Sequence, residues 1–279
     1  MDIMMGFEFI VEPFKYDFMV RSMYVAILVG IMLPLLGAYV INRNLGFMGD
    51  AMAHASFPGL VFGVMIGVSI FVVAIPVAIL IALLIGFMIN KTKIGEDTAI
   101  GITFSSLFAL GFILLSIFDG VLLNIEDVLL GQILGVSDLD VLFTSILSLI
   151  VVLILFIFHK QFLFFSFDRK GAEVGGLNPN LLNNIYLVIL SLAIMGSLQS
   201  VGIILVLSML ITPAAAAKIL LKNFSRSMIL GSLFGVIASM SGLYLSYYLD
   251  FPSGPSMALV ATSIFIVVWV SKRTVSFRK

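Results

Sequence analysis

Apolar residues in this chain collect in unbroken blocks of about 20, the length an α-helix needs to cross roughly 30 Å of hydrocarbon. The bulk numbers agree: 61% of the 279 residues are hydrophobic and 11% charged, against roughly half apolar and a quarter charged in soluble domains. A transmembrane barrel is excluded by pattern, since it requires alternating segments of about ten residues. The expected fold is therefore all-α, a polytopic transmembrane helical bundle of eight or nine spans forming a single domain over residues 1–279. Nine stretches can be drawn: 22–42, 45–67, 69–90, 98–118, 139–158, 181–198, 200–219, 227–249 and 256–271. Two boundaries are weak, the turn at Gly67–Ser69 and the division at Gln199–Ser200.

Lys and Arg decide the orientation, because short cytoplasmic loops retain them. With nine spans and an external N-terminus, Arg43, Lys91, Lys93, Lys160, Arg169, Lys170, Lys218, Lys222, Arg226, Lys272, Arg273, Arg278 and Lys279 all fall inside. Lys15 and Arg21 fall outside, as do Asp119, Glu126, Asp127, Asp138, Asp140 and Asp250. The chain thus reads as a multi-pass protein with a cytoplasmic C-terminus. Its first residues, with Asp2, Glu8, Glu12, Lys15, Asp17 and Arg21, are too polar for a cleavable signal peptide. They read as an amphipathic lead-in at the membrane interface.

Full charges within the spans are scarce, so Asp50 stands out; an ionisable group inside a membrane helix costs several kcal/mol unless compensated. His54, one of two histidines, follows at i+4, on the same helix face and about 6 Å further along the axis. Carboxylate plus imidazole, without sulfur, suits manganese, iron or zinc better than copper(I). The chain has no cysteine, so thiolate ligands are excluded. In a span beginning near Leu45, His54 lies roughly 14 Å deep, near the midplane where transporters hold substrate. Pro58, four residues on, lacks the N–H that would bond to the His54 carbonyl, so the helix is expected to kink there. Beside this face runs a stripe of small residues, Ala51, Ala55, Gly59, Gly63 and Gly67, fit for close helix packing. Two readings of the pair stand at this point. Asp50 and His54 hold a divalent cation, or Asp50 pairs with Arg43 or a backbone amide while His54 bonds between helices.

Thr212–Pro213 is the other candidate element of a path, because Pro213 interrupts the helix ladder before the run Ala214–Ala217. The phenylalanines and methionines are assigned no chemistry, and His159 reads as an interface residue beside Lys160. The chain carries no phosphate-cradling glycine loop ending in Lys-Ser or Lys-Thr, so any ATP hydrolysis is expected on a partner. It is read as a transport subunit, not an enzyme, with no tightly bound cofactor and no nucleic-acid partner. The cytoplasmic interruption at about 160–180 includes FDRKGAEVGGLNP, Phe167–Pro179, which is either a plain connection or a short docking helix.

Four segments together resemble the permease family of manganese, zinc and iron ABC importers. MGDAMAHASFPG at Met48–Gly59 is similar to that family's G-D-A-x-x-H-x-x-x-P-G signature. VGIILVLSMLITPAAAA at Val201–Ala217 and PSGPSMAL at Pro252–Leu259 resemble further family segments in the same order, and LGQILGVS at Leu130–Ser137 resembles the family's short external element before the middle span. The resemblance implies a fold like a type II ABC importer permease, in a bacterial plasma membrane. It implies that Asp50 and His54 contact the passing metal, with Pro58, Thr212 and Pro213 as pathway or gating candidates. Phe167, Asp168, Ala172, Gly175 and Gly176 would couple to the ATPase. The implied partners are a second copy of the chain, cytoplasmic ABC ATPase subunits, and an extracellular or periplasmic metal-binding protein. Ala53 replaces the signature's usual serine, Pro255 is atypical, and Arg169–Lys170 replaces the usual Pro-Glu of the coupling segment. The competing class is a stand-alone channel or proton-coupled metal carrier, in which Asp50 would be a proton or gating group.

Overall fold

The computed structural model describes residues 11–68, 70–92, 94–117, 131 and 133–276. Asp2, Glu8, Lys93, Asp119, Glu126, Asp127, Leu130, Gln132, Arg278 and Lys279, used above, lie outside the described residues, as does Ser69. Regular structure among the described residues is helical throughout. The helices are α1 (Asp17–Asn42), α2 (Met48–Ala55), α3 (Phe57–Met65), α4 (Ile70–Thr92), α5 (Glu96–Ile117), α6 (Asp138–Ile157), α7 (His159–Phe167), α8 (Arg169–Val174), α9 (Pro179–Val201), α10 (Ile203–Leu220), α11 (Phe224–Leu249) and α12 (Ser253–Ser276). Eight of these are long and apolar enough to cross a membrane.

The stretch at 45–67, expected as one span, is instead the broken pair α2–α3, interrupted at Ser56. Pro58 is the reason, because it leaves the His54 carbonyl without its helical donor. The buried Ser56 (0% exposed) caps the interruption locally, donating its hydroxyl to the Ala53 carbonyl at 2.5 Å and its N–H to Met52 O at 3.2 Å. With Ser56 included, the pair rises about 27 Å if helical throughout, close to the roughly 30 Å of the hydrocarbon core. Helix breaks at membrane depth persist where protein or a cavity encloses them, and this one is enclosed. The other weak boundary moves from Gln199–Ser200 to Gly202. There the backbone takes φ 81°, ψ 165° between α9 and α10, a conformation open in practice to glycine alone.

Contacts divide the chain into two compact units of discontinuous segments. In the unit of Met1–Ala38, Glu126–Ser148 and Gln199–Lys279, helices α10, α11 and α12 pack on one another. Glycines permit these approaches: a methyl group on Gly30 of α1 would meet the Gly235 backbone of α11, and one on Gly242 would meet Met257 of α12. At one end Arg21 pairs with Asp138 at 3.1 Å, and Ser22 donates to the Ile133 carbonyl at 2.7 Å. At the other end of α12, Lys272 donates to the Ile219 carbonyl at the end of α10.

The second unit, Tyr39–Ile125 and Leu149–Leu198, holds the broken pair. Helices α2 and α3 both pack on α5, and α3 packs on α4. Four residues of the small-residue stripe pack as expected. Ala51 and Ala55 are buried, while methyl groups on Gly59 and Gly63 would lie 2.5 Å from Val77 Cγ2 and 3.0 Å from Val73 Cγ2 of α4. Gly67, at φ 68°, closes the turn after α3.

Candidate functional site

Asp50 lies in the first turn of α2 and His54 in its last. Their i, i+4 spacing brings His54 Nε2 to 3.4 Å from Asp50 Oδ1. Both side chains are partly open, at 29% for His54 and 35% for Asp50, so the donor atoms are reachable. A cation about 2.1 Å from each atom would see them about 108° apart, a bite that tetrahedral and distorted octahedral ions accept. No group of three or more His, Cys, Asp or Glu side chains suited to a metal ion occurs among the described residues. Asp50 Oδ1 and His54 Nε2 thus form a pair of adjacent oxygen and nitrogen donors.

Arg43, one of the two partners considered for a purely structural Asp50, is committed elsewhere. Its guanidinium donates to Glu96 Oε1 at 2.6 Å and to Asn183 Oδ1 at 2.5 Å. It also stacks 5.0 Å from the ring centroids of Phe165 and Tyr186.

Sequence reasoning missed what lies on the histidine. Phe104, Phe108 and Phe112 stand at i, i+4 and i+8 along α5. The His54 ring centroid lies 5.7 Å from that of Phe104 and 5.1 Å from that of Phe108. Phe57, just past the break, continues the row against Phe108 (5.7 Å) and Phe112 (5.2 Å). Gly111 makes this possible, since a methyl group there would strike the Phe57 ring and approach Pro58 N to 3.0 Å. Pro58 therefore sits at the break, under α5. The spacing FSSLFALGF was the available signal, and it reads equally well as an ordinary lipid-facing stripe.

The segment Phe167–Gly176 forms its own short helix. Asp168 caps α8 by accepting the Gly171 N–H at 2.8 Å. Ala172 is fully buried and anchors the helix, and Gly175 and Gly176 end it, the latter at φ 82°. Phe167 and Val174 remain 64% and 91% exposed. Arg169 turns back onto its own chain, donating to Asn180 Oδ1 at 2.8 Å and lying 3.9 Å from Glu96 Oε1. His159, after α6, meets the Tyr39 hydroxyl through Nδ1 at 2.8 Å, and burial lowers its pKa. Thr212 and Pro213 belong to the other unit, within α10, where Pro213 is buried and Thr212 half-buried.

Residues 15–272 match the family described as the ABC 3 transport family. The chain is 40% identical over 256 residues to the manganese transport system membrane protein MntC of Listeria monocytogenes, covering 92% of this chain and 91% of that protein. It is 34% identical over 259 residues to the chelated iron transport system membrane protein YfeC of Yersinia pestis, covering 93% and 88%. Among solved structures, PsaBC from Streptococcus pneumoniae in complex with Fab aligns with a TM-score of 0.82 at 35% identity, covering 98% of this chain and 99% of that one.

Proposed function

Since this chain belongs to the ABC 3 transport family, we propose that it is the membrane permease of an ATP-driven importer of divalent transition metal ions, with manganese the favoured cargo and zinc or iron the alternatives. The observation that carries the proposal is the Asp50–His54 pair, 3.4 Å apart on a helix broken two residues later. Oxygen and nitrogen donors suit those metals, and the names of the relatives point the same way.

In this reading the metal is the cargo, held in transit by the Asp50 carboxylate and the neutral His54 imidazole. Two donors leave a sphere incomplete. A second copy of the chain supplies further donors across a shared pore, and water supplies the rest. An external metal-binding protein delivers the ion. Cytoplasmic ABC ATPase subunits hydrolyse ATP and dock on the segment around Phe167, Asp168, Ala172, Gly175 and Gly176, where Phe167 and Val174 offer exposed apolar surface. Pro58 acts as the hinge of the broken helix, and Thr212 and Pro213 act as a second flexible point in α10. Both units are read as one permease domain in the bacterial plasma membrane, with a cytoplasmic C-terminus by the placement of Lys and Arg. The permease itself has no ATPase site.

The test is metal uptake into proteoliposomes containing this chain with and without its ATPase and binding protein, comparing manganese, zinc and iron. Accumulation that requires ATP and all three proteins supports the importer. Uptake by this chain alone, driven by a proton gradient and indifferent to ATP, would replace it with a proton-coupled carrier.

A further inference from the structure

Glu96 opens α5, and its carboxylate stands between two guanidinium groups. One belongs to Arg43, just past the end of α1, whose side chain is 5% exposed; Oε1 accepts from it at 2.6 Å. The other belongs to Arg169, the first residue of α8, 3.9 Å from the same oxygen. Arg169 also reaches Asn180 at the start of α9 (2.8 Å) and Asn90 near the end of α4 (3.5 Å). Phe165 of α7 lies against both cations, 5.0 Å from Arg43 and 5.7 Å from Arg169. A single carboxylate therefore ties the short cytoplasmic helix α8 to the foot of α5.

Helix α5 runs without interruption from Glu96 to Ile117. Phe104 and Phe108, the rings lying on His54, are about 12 Å and 18 Å from Glu96 along its axis. A helix is stiff over that distance, so a displacement of its foot is carried to the rings and from them to the imidazole. Coupling between separated sites needs a physical element that both ends bias, and α5 with its charged foot is such an element.

We propose that Arg169 and Glu96 are positioning residues of the transport cycle, the ion pair through which movement of α8 is passed along α5 to the Asp50–His54 site. The proposal rests on the importer reading above. A half-exposed arginine that only fixed local structure would leave the ratio of metal transported to ATP hydrolysed untouched. One that transmits the stroke would change that ratio.

The experiment uses the complete transporter in proteoliposomes, with permease, ATPase and binding protein, and measures manganese uptake and ATP hydrolysis on the same preparation. Arg169→Gln and Glu96→Gln each keep a hydrogen-bonding side chain, and a thermal melt of each purified variant checks folding. Each is expected to hydrolyse ATP at near the native rate while the manganese-to-ATP ratio falls by about 2- to 30-fold, the span expected for mutations along a coupling element. The double variant is expected to be no worse than the more impaired single one, as two residues acting as a unit require. Arg169→Lys, which keeps the charge, recovers part of the ratio. An unchanged ratio in Arg169→Gln, or hydrolysis and uptake falling in proportion, overturns the inference, and the latter would make Arg169 a docking residue. A native complex that hydrolyses ATP without moving metal would instead overturn the importer reading, and this inference with it.

Discussion

Alanine at Gly59 tests the packing that holds the broken helix in place. The added methyl group would stand 2.5 Å from Val77 Cγ2, 2.9 Å from Cγ1 and 3.1 Å from Cβ, where carbon atoms normally rest about 3.5–4.0 Å apart. Turning Val77 about χ1 is costly, because a β-branched side chain in a helix is held to one rotamer, and its Cβ at 3.1 Å does not move with χ1. Overpacking of this kind costs about 1–3 kcal/mol, and the gain in helix propensity on replacing Gly returns at most ~1 kcal/mol. Gly59→Ala should therefore be net destabilising. All three clashing atoms belong to Val77, so Val77→Ala removes the two nearest and leaves only the Cβ contact at 3.1 Å, which a shift of a few tenths of an ångström relieves. The pair Gly59→Ala and Val77→Ala should show a favourable coupling energy of about 1–3 kcal/mol. Thermal unfolding of the four proteins in one detergent reads this: the double variant should melt above Gly59→Ala. A Gly59→Ala protein as stable as the native one, or a double variant no better than it, would refute the packing argument.

Two further outcomes are expected. Gly202→Ala, which forces a side chain into φ 81°, ψ 165°, should cost about 1–3 kcal/mol and lower the melting midpoint, whereas Gly101→Ala, with nothing within 4 Å of the new methyl, should not. His159 has its pKa lowered by burial, so the folded chain favours the neutral ring and the unfolded chain takes up the proton first. Its contribution is present above the ordinary histidine value of about 6.5 and is lost as pH falls through the lowered folded value. Midpoints measured from pH 8 to pH 5 should drop more steeply for the native protein than for His159→Gln.

Much of this was legible in the sequence because lipid leaves few options. Blocks of 20 apolar residues become helices since every backbone polar group must be satisfied within the segment. Asp50 and His54 were visible because ionisable groups are rare within apolar blocks, and the stripe from Ala51 to Gly67 because small residues at four-residue spacing have one strong use in a membrane. Pro58 announced the break, though not that α2 and α3 would be separate helices. What stayed hidden depends on contacts between residues far apart in the chain. Phe104 and Phe108 could have faced lipid; only the fold lays them on His54. Arg43 was a possible partner for Asp50 until Glu96, 53 residues further on, took its charge. Arg169 looked like a surface departure in the segment around Phe167–Gly176, and the fold turns it back onto Asn180 and Glu96. The break before α10 was misplaced by two or three residues because apolar blocks run on through it, and the positive φ of Gly202 marks it instead.

In the proposed transport cycle Asp50 and His54 hold the metal in transit. Manganese uptake should be measured in proteoliposomes carrying the complete transporter with Asp50→Ala or His54→Ala, over a range of metal concentrations. Loss of a direct ligand should weaken apparent affinity by at least about tenfold, the lower end of what even outer-shell partners cost, with ATP hydrolysis still present. Uptake by both variants at native rate and native affinity would contradict the account.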